Sequence, residues 1–210
     1  MIAFGLRHAR SVVCLGAHPD DIEIGCGGTL LTMDARPGAT VRALVLTGDD
    51  ARATEAREAL PRFFPGATVE VTGLPDGRLP AHWSTVKDTL EAFARRDSAD
   101  VVLTPRVDDA HQDHRLLGTL ASTVWRDSLI MQYEIPKWDG DMAAPNHYVA
   151  LDRVTARRKV ELLHRCFPSQ AARDWWDDEL FFGLLRLRGV EARAHYAEGF
   201  FVSKAVVDLG

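Results

Sequence analysis

The segment Gly16-Ala17-His18-Pro19-Asp20-Asp21 directly follows the apolar run Ser11-Val12-Val13-Cys14-Leu15, and it constrains the fold more than any other stretch. An apolar run ending in one imidazole and two carboxylates reads as a buried strand that delivers ionisable groups to its carboxyl end. A second cluster, Asp108-Asp109-Ala110-His111-Gln112-Asp113-His114, follows the apolar run Asp100-Val101-Val102-Leu103-Thr104. Two His/Asp clusters, each behind a strand, predict one metal site assembled along a single sheet edge, and with it hydrolytic chemistry.

The rest of the first half supports such a sheet. Strands are expected at Val12–Leu15, Val41–Leu46, Thr68–Val71 and Val101–Leu103. Helices are expected over Gly27–Met33, Thr54–Phe64, Ser84–Arg95 and Leu116–Trp125. Strands separated by helices of this length imply right-handed crossovers. The fold class is therefore α/β: a Rossmann-like, mostly parallel sheet flanked by helices. Ligands of such sheets bind at the carboxyl ends of the strands, where both clusters fall. In the second half, short strands are expected at Met131–Glu134, His147–Ala150 and Gly199–Val202, with helices at Val154–His164 and Asp178–Arg188. With no repeat, low-complexity tract or linker, residues 1–210 read as a single domain, 130–210 being its more variable C-terminal part.

Composition removes several classes of function. A net charge of -5 with scattered Lys and Arg argues against nucleic acid. No apolar run approaches the roughly 18 residues of a membrane span. Met1–Arg10 lacks the apolar core and cleavage site of a secretory leader. Cys14, Cys26 and Cys166 are too few and too widely spaced for a disulfide framework or a Cys-rich zinc site, so a cytoplasmic location is expected. The sequence leaves a homo-oligomer open.

Within the first cluster, Pro19 fixes its own φ and holds His18 out of the helical region. Such a stiffened turn can present His18 and one carboxylate together while the other stays free as a base. Imidazole and carboxylate suit Zn2+, although another divalent transition metal could use the same set. The bland alternative is that Asp20 and Asp21 only cap the following helix. Gly25-Cys26-Gly27-Gly28 could aim amide groups at the site, or could belong to a dinucleotide-binding turn with Asp49 or Asp50 on the ribose. Against the latter, the glycines do not directly follow the strand and no G-x-G-x-x-G pattern is present. In the second cluster, His111 and His114 are three apart and share one side of a helix opening there, so one can hold metal while the other faces substrate.

Taken together, His-Pro-Asp-Asp-x-Glu-x-Gly after the first strand and His-x-x-His after a later one resemble the PIG-L/LmbE-like zinc N-deacetylases. Arg52-Ala53-Thr54-Glu55 resembles that family's R-x-x-E helix, and Leu74-Pro75-Asp76-Gly77 its L-P-D-G turn. The resemblance covers roughly residues 10–120 and continues weakly to Gln170 and Glu198-Gly199-Phe200. It implies His18, Asp21 and His114 as zinc ligands and Asp20 as general base. His111 would stabilise the oxyanion or protonate the leaving amine, and Arg52 and Asp76 would hold the sugar. Gln112-Asp113 replaces the commoner Pro-Asp, but both histidines remain. The implied partner is a small-molecule N-acetylated amino sugar of N-acetylglucosaminyl type on a larger carrier.

Weaker signals surround this set. Trp125, Trp138, Trp175 and Trp176 could stack on a sugar, but core packing is the expected role for each. Asp139-Gly140-Asp141 lies in the central loop, as either a specificity element or a solvated turn. His147, His164 and His195 read as ordinary residues. Two rival functions remain: an amidase of the same fold acting on a thiol conjugate or another amide, and a non-catalytic sugar- or nucleotide-binding domain.

Overall fold

A computed structural model of the chain describes residues 5–6, 9–34 and 36–206. The reading of Met1–Arg10 as free of a leader lies largely outside them. Among the described residues, seven strands form one sheet: β1 Ser11–Gly16, β2 Thr40–Thr47, β3 Thr68–Leu74, β4 Val101–Pro105, β5 Leu129–Tyr133, β6 His147–Leu151 and β7 Tyr196–Phe201. The α-helices of the described residues are α1 Asp21–Met33, α2 Asp50–Phe63, α3 Trp83–Ala94, α4 Gln112–Val124, α5 Arg153–Cys166 and α6 Asp178–Ala192. No helix among the described residues is long and apolar enough to cross a membrane.

The strand order is β3-β2-β1-β4-β5-β7-β6. From β3 to β5 every pairing is parallel, and β7 runs antiparallel to both its neighbours, β5 and β6. The expected mostly parallel α/β sheet is thus present, closed at one edge by an antiparallel pair. Strand alternation explains why both faces are covered. In β1, Val12 and Cys14 join a core that includes Phe63, Leu163 and Phe200 on one face. Val13 and Leu15 join Leu46, Phe93 and Leu117 on the other. Such two-sided burial is what parallel strands require.

Order reverses at β1: the chain winds outward through β2 and β3, then returns to place β4 on the other side of β1. A crevice opens at such a switch point, outside the carboxyl ends of the two central strands. The segment after β1 carries His18, Asp20 and Asp21, and the segment after β4 leads to His111 and His114. The topology therefore brings the two clusters together.

The first helix departs from expectation. It begins at Asp21 rather than Gly27, with a non-helical Cys26 (φ -142°, ψ 17°) in its interior. A glycine run normally disfavours helix, so the sequence understates it. Close packing explains the glycines: a Cβ on Gly25 would collide with the Tyr133 ring. Nor does the amide of Gly28, at the end of the glycine run, face the crevice. Gly28 N and Thr29 N each donate to the Glu198 carboxylate at 2.7 Å, which Lys159 Nζ also meets at 2.6 Å. This clamp pins the kinked helix to β7 and α5. Because Lys159 and Glu198 are both buried, Lys159→Met should strand an uncompensated carboxylate. Chemical denaturation should report a loss of roughly 3–5 kcal/mol; an unchanged midpoint would show that the amides alone satisfy Glu198.

Candidate metal and catalytic site

Asp21 accepts the His18 backbone N–H at 2.8 Å, which sets the turn after β1. Asp20 occupies the N-cap position of α1 but makes no side-chain capping bond. Helix capping therefore does not account for the Asp-Asp pair. On the other side of the crevice, α4 is capped by His111, whose Nδ1 accepts the Asp113 N–H at 3.3 Å.

The two clusters meet as a triangle of donor atoms. His18 Nδ1 lies 3.1 Å from His114 Nε2, and Asp21 Oδ2 lies 3.4 Å from each. A tetrahedral ion with donors at about 2.0–2.1 Å would space them by about 3.3–3.4 Å. His111 completes a compact His18/His111/His114 group, while His18, Asp76 and Asp113 form another around the far nitrogen of His18. The nitrogens turned away from the triangle face carboxylates. His18 Nε2 is 3.0 Å from Asp76 Oδ1 and 3.6 Å from Asp113 Oδ2, and His114 Nδ1 is 3.1 Å from Asp109 Oδ2. Carboxylates commonly stand in this position behind imidazoles that bind a metal. The donor set and its surroundings fit a divalent cation.

Electrostatics agree with that fit. Burial opposes charge on His18, yet Asp21, with Asp113 and Asp76, pushes its pKa up to about 12. Burial likewise opposes charge on His114, and Asp21 and Asp109 push it up to about 9. Asp21 is held well below the usual carboxylate range by His114 and His18, against its burial. The pocket thus favours positive charge. Asp20 behaves differently: burial raises its pKa, and the Arg52 guanidinium, with Nη2 3.0 Å from Oδ1, opposes the rise. His111 is lowered by burial and by the cationic His114 and His18.

His18, Asp20, Asp21, Arg52, Asp76, His111 and His114, the residues singled out from sequence, all line one cavity. Arg52 reaches Asp20 and lies 3.7 Å from Asp76, which is itself more than half exposed. Residues without an assigned role in the sequence reading also shape the site. Asp113, fully buried, accepts from Gly77 N and Leu79 N at 2.8 and 3.0 Å and so ties the L-P-D-G turn to α4. Lys137 Nζ sits 2.9 Å from Asp109 Oδ1 and 3.0 Å from Asp141 Oδ2, so the central loop reaches back to the carboxylate behind His114. Asp109 and Asp113 were visible in the second cluster; nothing in sequence signalled Lys137. Of the tryptophans, Trp125 and Trp176 are core as expected, whereas Trp138 and Trp175 line the cavity.

Comparison with known proteins agrees with this arrangement. Residues 13–125 match the PIG-L family, described as GlcNAc-PI de-N-acetylase. The chain is also 31% identical over 140 residues to the uncharacterized deacetylase YaiS of Escherichia coli K12, a match spanning 60% of this chain and 75% of that protein. Its fold resembles N,N'-diacetylchitobiose deacetylase from Pyrococcus horikoshii, with TM-score 0.72 and 22% identity over 93% of this chain and 84% of that one. It also resembles GalB, the 4-carboxy-2-hydroxymuconate hydratase of Pseudomonas putida KT2440, with TM-score 0.77 and 20% identity over 96% of this chain and 99% of that one. At these identities the two structures speak to the fold alone. The chain belongs to the PIG-L family and is an N-deacetylase, a hydrolase of amide bonds.

Because the surrounding carboxylates, Asp21 above all, raise the pKa of His18 and His114, a cation competes with protons for these imidazoles. Calorimetry of metal binding in buffers of different ionisation enthalpy at pH 7 should report net proton release. Affinity should accordingly fall as pH falls. Release near zero would contradict the assignment of both imidazoles as ligands.

Proposed function

We propose that this chain is a zinc-dependent deacetylase that removes the acetyl group from an N-acetylated amino sugar, of N-acetylglucosaminyl type, carried on a larger conjugate. The observation that carries the reading is the His18/Asp21/His114 triangle with a separate carboxylate, Asp20, beside it in the same cavity. His18, Asp21 and His114 would hold the ion. When bound, a divalent cation supplies Lewis acidity and lowers the pKa of its water toward about 7.

The protein's own groups then divide the proton work. Arg52 occupies Asp20 Oδ1 and leaves Oδ2 free to take the proton of the attacking water. Burial raises the Asp20 pKa toward the working range, which improves its match to the proton it must accept and return. His111 accepts the Asp113 N–H at Nδ1, so in its neutral form the ring proton sits on Nε2. Its lowered pKa keeps it neutral, a hydrogen-bond donor for the developing oxyanion. Asp20 returns its proton to the amide nitrogen as the C–N bond breaks, giving acetate and a free amine. Arg52 and Asp76, at the open side of the cavity, would engage the sugar hydroxyls.

Asp20→Asn should keep metal binding and lose about 10²- to 10⁴-fold in acetate release. Undiminished turnover would remove Asp20 from the role. At saturating metal, kcat/KM should fall as pH drops through the raised pKa of Asp20, above the range of an ordinary carboxylate. His114→Ala should abolish stoichiometric metal binding, and a fully metallated, active variant would refute that ligand.

A further inference from the structure

The cavity has a second wall, contributed by the C-terminal half of the chain: Lys137, Trp138, Asp139, Gln170, Arg173 and Trp175. Trp138 stands out there. It is 64% exposed, against 5% for Trp125 and Trp176, so the chain forgoes the burial an indole normally provides. Yet the ring is held firmly. Its Nε1 donates to Asp174 Oδ1 at 3.0 Å, and the Trp175 ring meets it edge-on at 6.1 Å. The Arg173 guanidinium lies 5.5 Å from its centroid. The preceding residue, Lys137, is anchored by Asp109 and Asp141. An aromatic ring that is exposed, fixed and part of the wall of the candidate site leaves a flat face available to a ligand in that cavity.

The surroundings indicate what. Asp139 accepts no hydrogen bond and Arg173 has no carboxylate partner among the described residues, so both acceptor and donor capacity are free for hydroxyl groups. Asp20, Asp21, Asp76 and Asp139 are offset in the same cavity by Arg52, Lys137 and Arg173, a mixed lining that suits a neutral polar ligand. An aromatic face with free polar groups at its rim matches a pyranose, which offers a C–H face and equatorial hydroxyls. Depth places that ring. His18, Asp20 and His114 are nearly inaccessible, whereas Trp138 is at the mouth, so it meets the part of the substrate farthest from the reacting carbonyl.

We propose that Trp138, supported by Trp175 and Arg173, is the platform for a second pyranose ring joined to the N-acetylated one, so that the substrate is a disaccharide or longer glycan. This rests on the amino-sugar reading above. The test compares acetate release from N-acetylglucosamine and N,N'-diacetylchitobiose by wild type, Trp138→Ala and Trp138→Phe, with circular dichroism checking that each variant folds. Wild type should prefer the disaccharide by about tenfold or more in kcat/KM, the scale of one well-placed ring face. Trp138→Ala should collapse that preference, chiefly through KM, and Trp138→Phe should restore most of it. Acetate release with no preference, or with a preference that survives Trp138→Ala, overturns the platform alone. Absence of acetate release from both sugars by metal-loaded wild type overturns the amino-sugar reading and the platform with it.

Discussion

One carboxylate holds the arrangement together. Asp21 accepts the backbone N–H of His18, sits in the first turn of α1 where the helix dipole favours negative charge, and lies 3.4 Å from an imidazole of each cluster. His18 and His114 approach to 3.1 Å, and two buried imidazoles drawn toward the protonated state would repel one another at that distance. Asp21 between them turns the repulsion into a shared attraction. The same feature suits the pocket to a cation: the carboxylate that draws protons to the imidazoles would equally draw a divalent ion.

The sheet explains why two segments almost a hundred positions apart can share that carboxylate. β1 and β4 are hydrogen-bonded neighbours at the point where strand order reverses, so their carboxyl ends face one crevice. The C-terminal half then locks the crevice. Tyr133 of β5 donates its hydroxyl to Leu15 O at the end of β1 and packs its ring where Gly25 has no side chain. Glu198 of β7 gathers the amides that the kink at Cys26 sets free. These distant anchors hold the His-Pro-Asp-Asp turn in register with α4.

Much of this is legible in sequence, for identifiable reasons. The apolar runs before His18 and before Asp108 are short, bounded and followed by ionisable clusters, which is enough to place strands and predict convergence. The parts that were hidden depend on contacts between distant residues. The start of α1 at Asp21 is masked by glycines that serve packing against Tyr133 rather than a turn. The antiparallel placement of β7 between β5 and β6 leaves no mark in a sequence pattern, because strand periodicity carries no direction. Lys137 looks like any loop lysine until Asp109 and Asp141 are seen beside it. Trp138 and Trp176 cannot be told apart by composition, although one faces the cavity and the other is core.

Anomalous diffraction from crystals grown with zinc would show whether the ion sits between the two imidazoles and Asp21. A single strong peak is expected, bonded to His18, Asp21 and His114 at about 2.0–2.2 Å, with a protein-free position facing Asp20 and His111. No peak in that triangle, or one held by other residues, would contradict it.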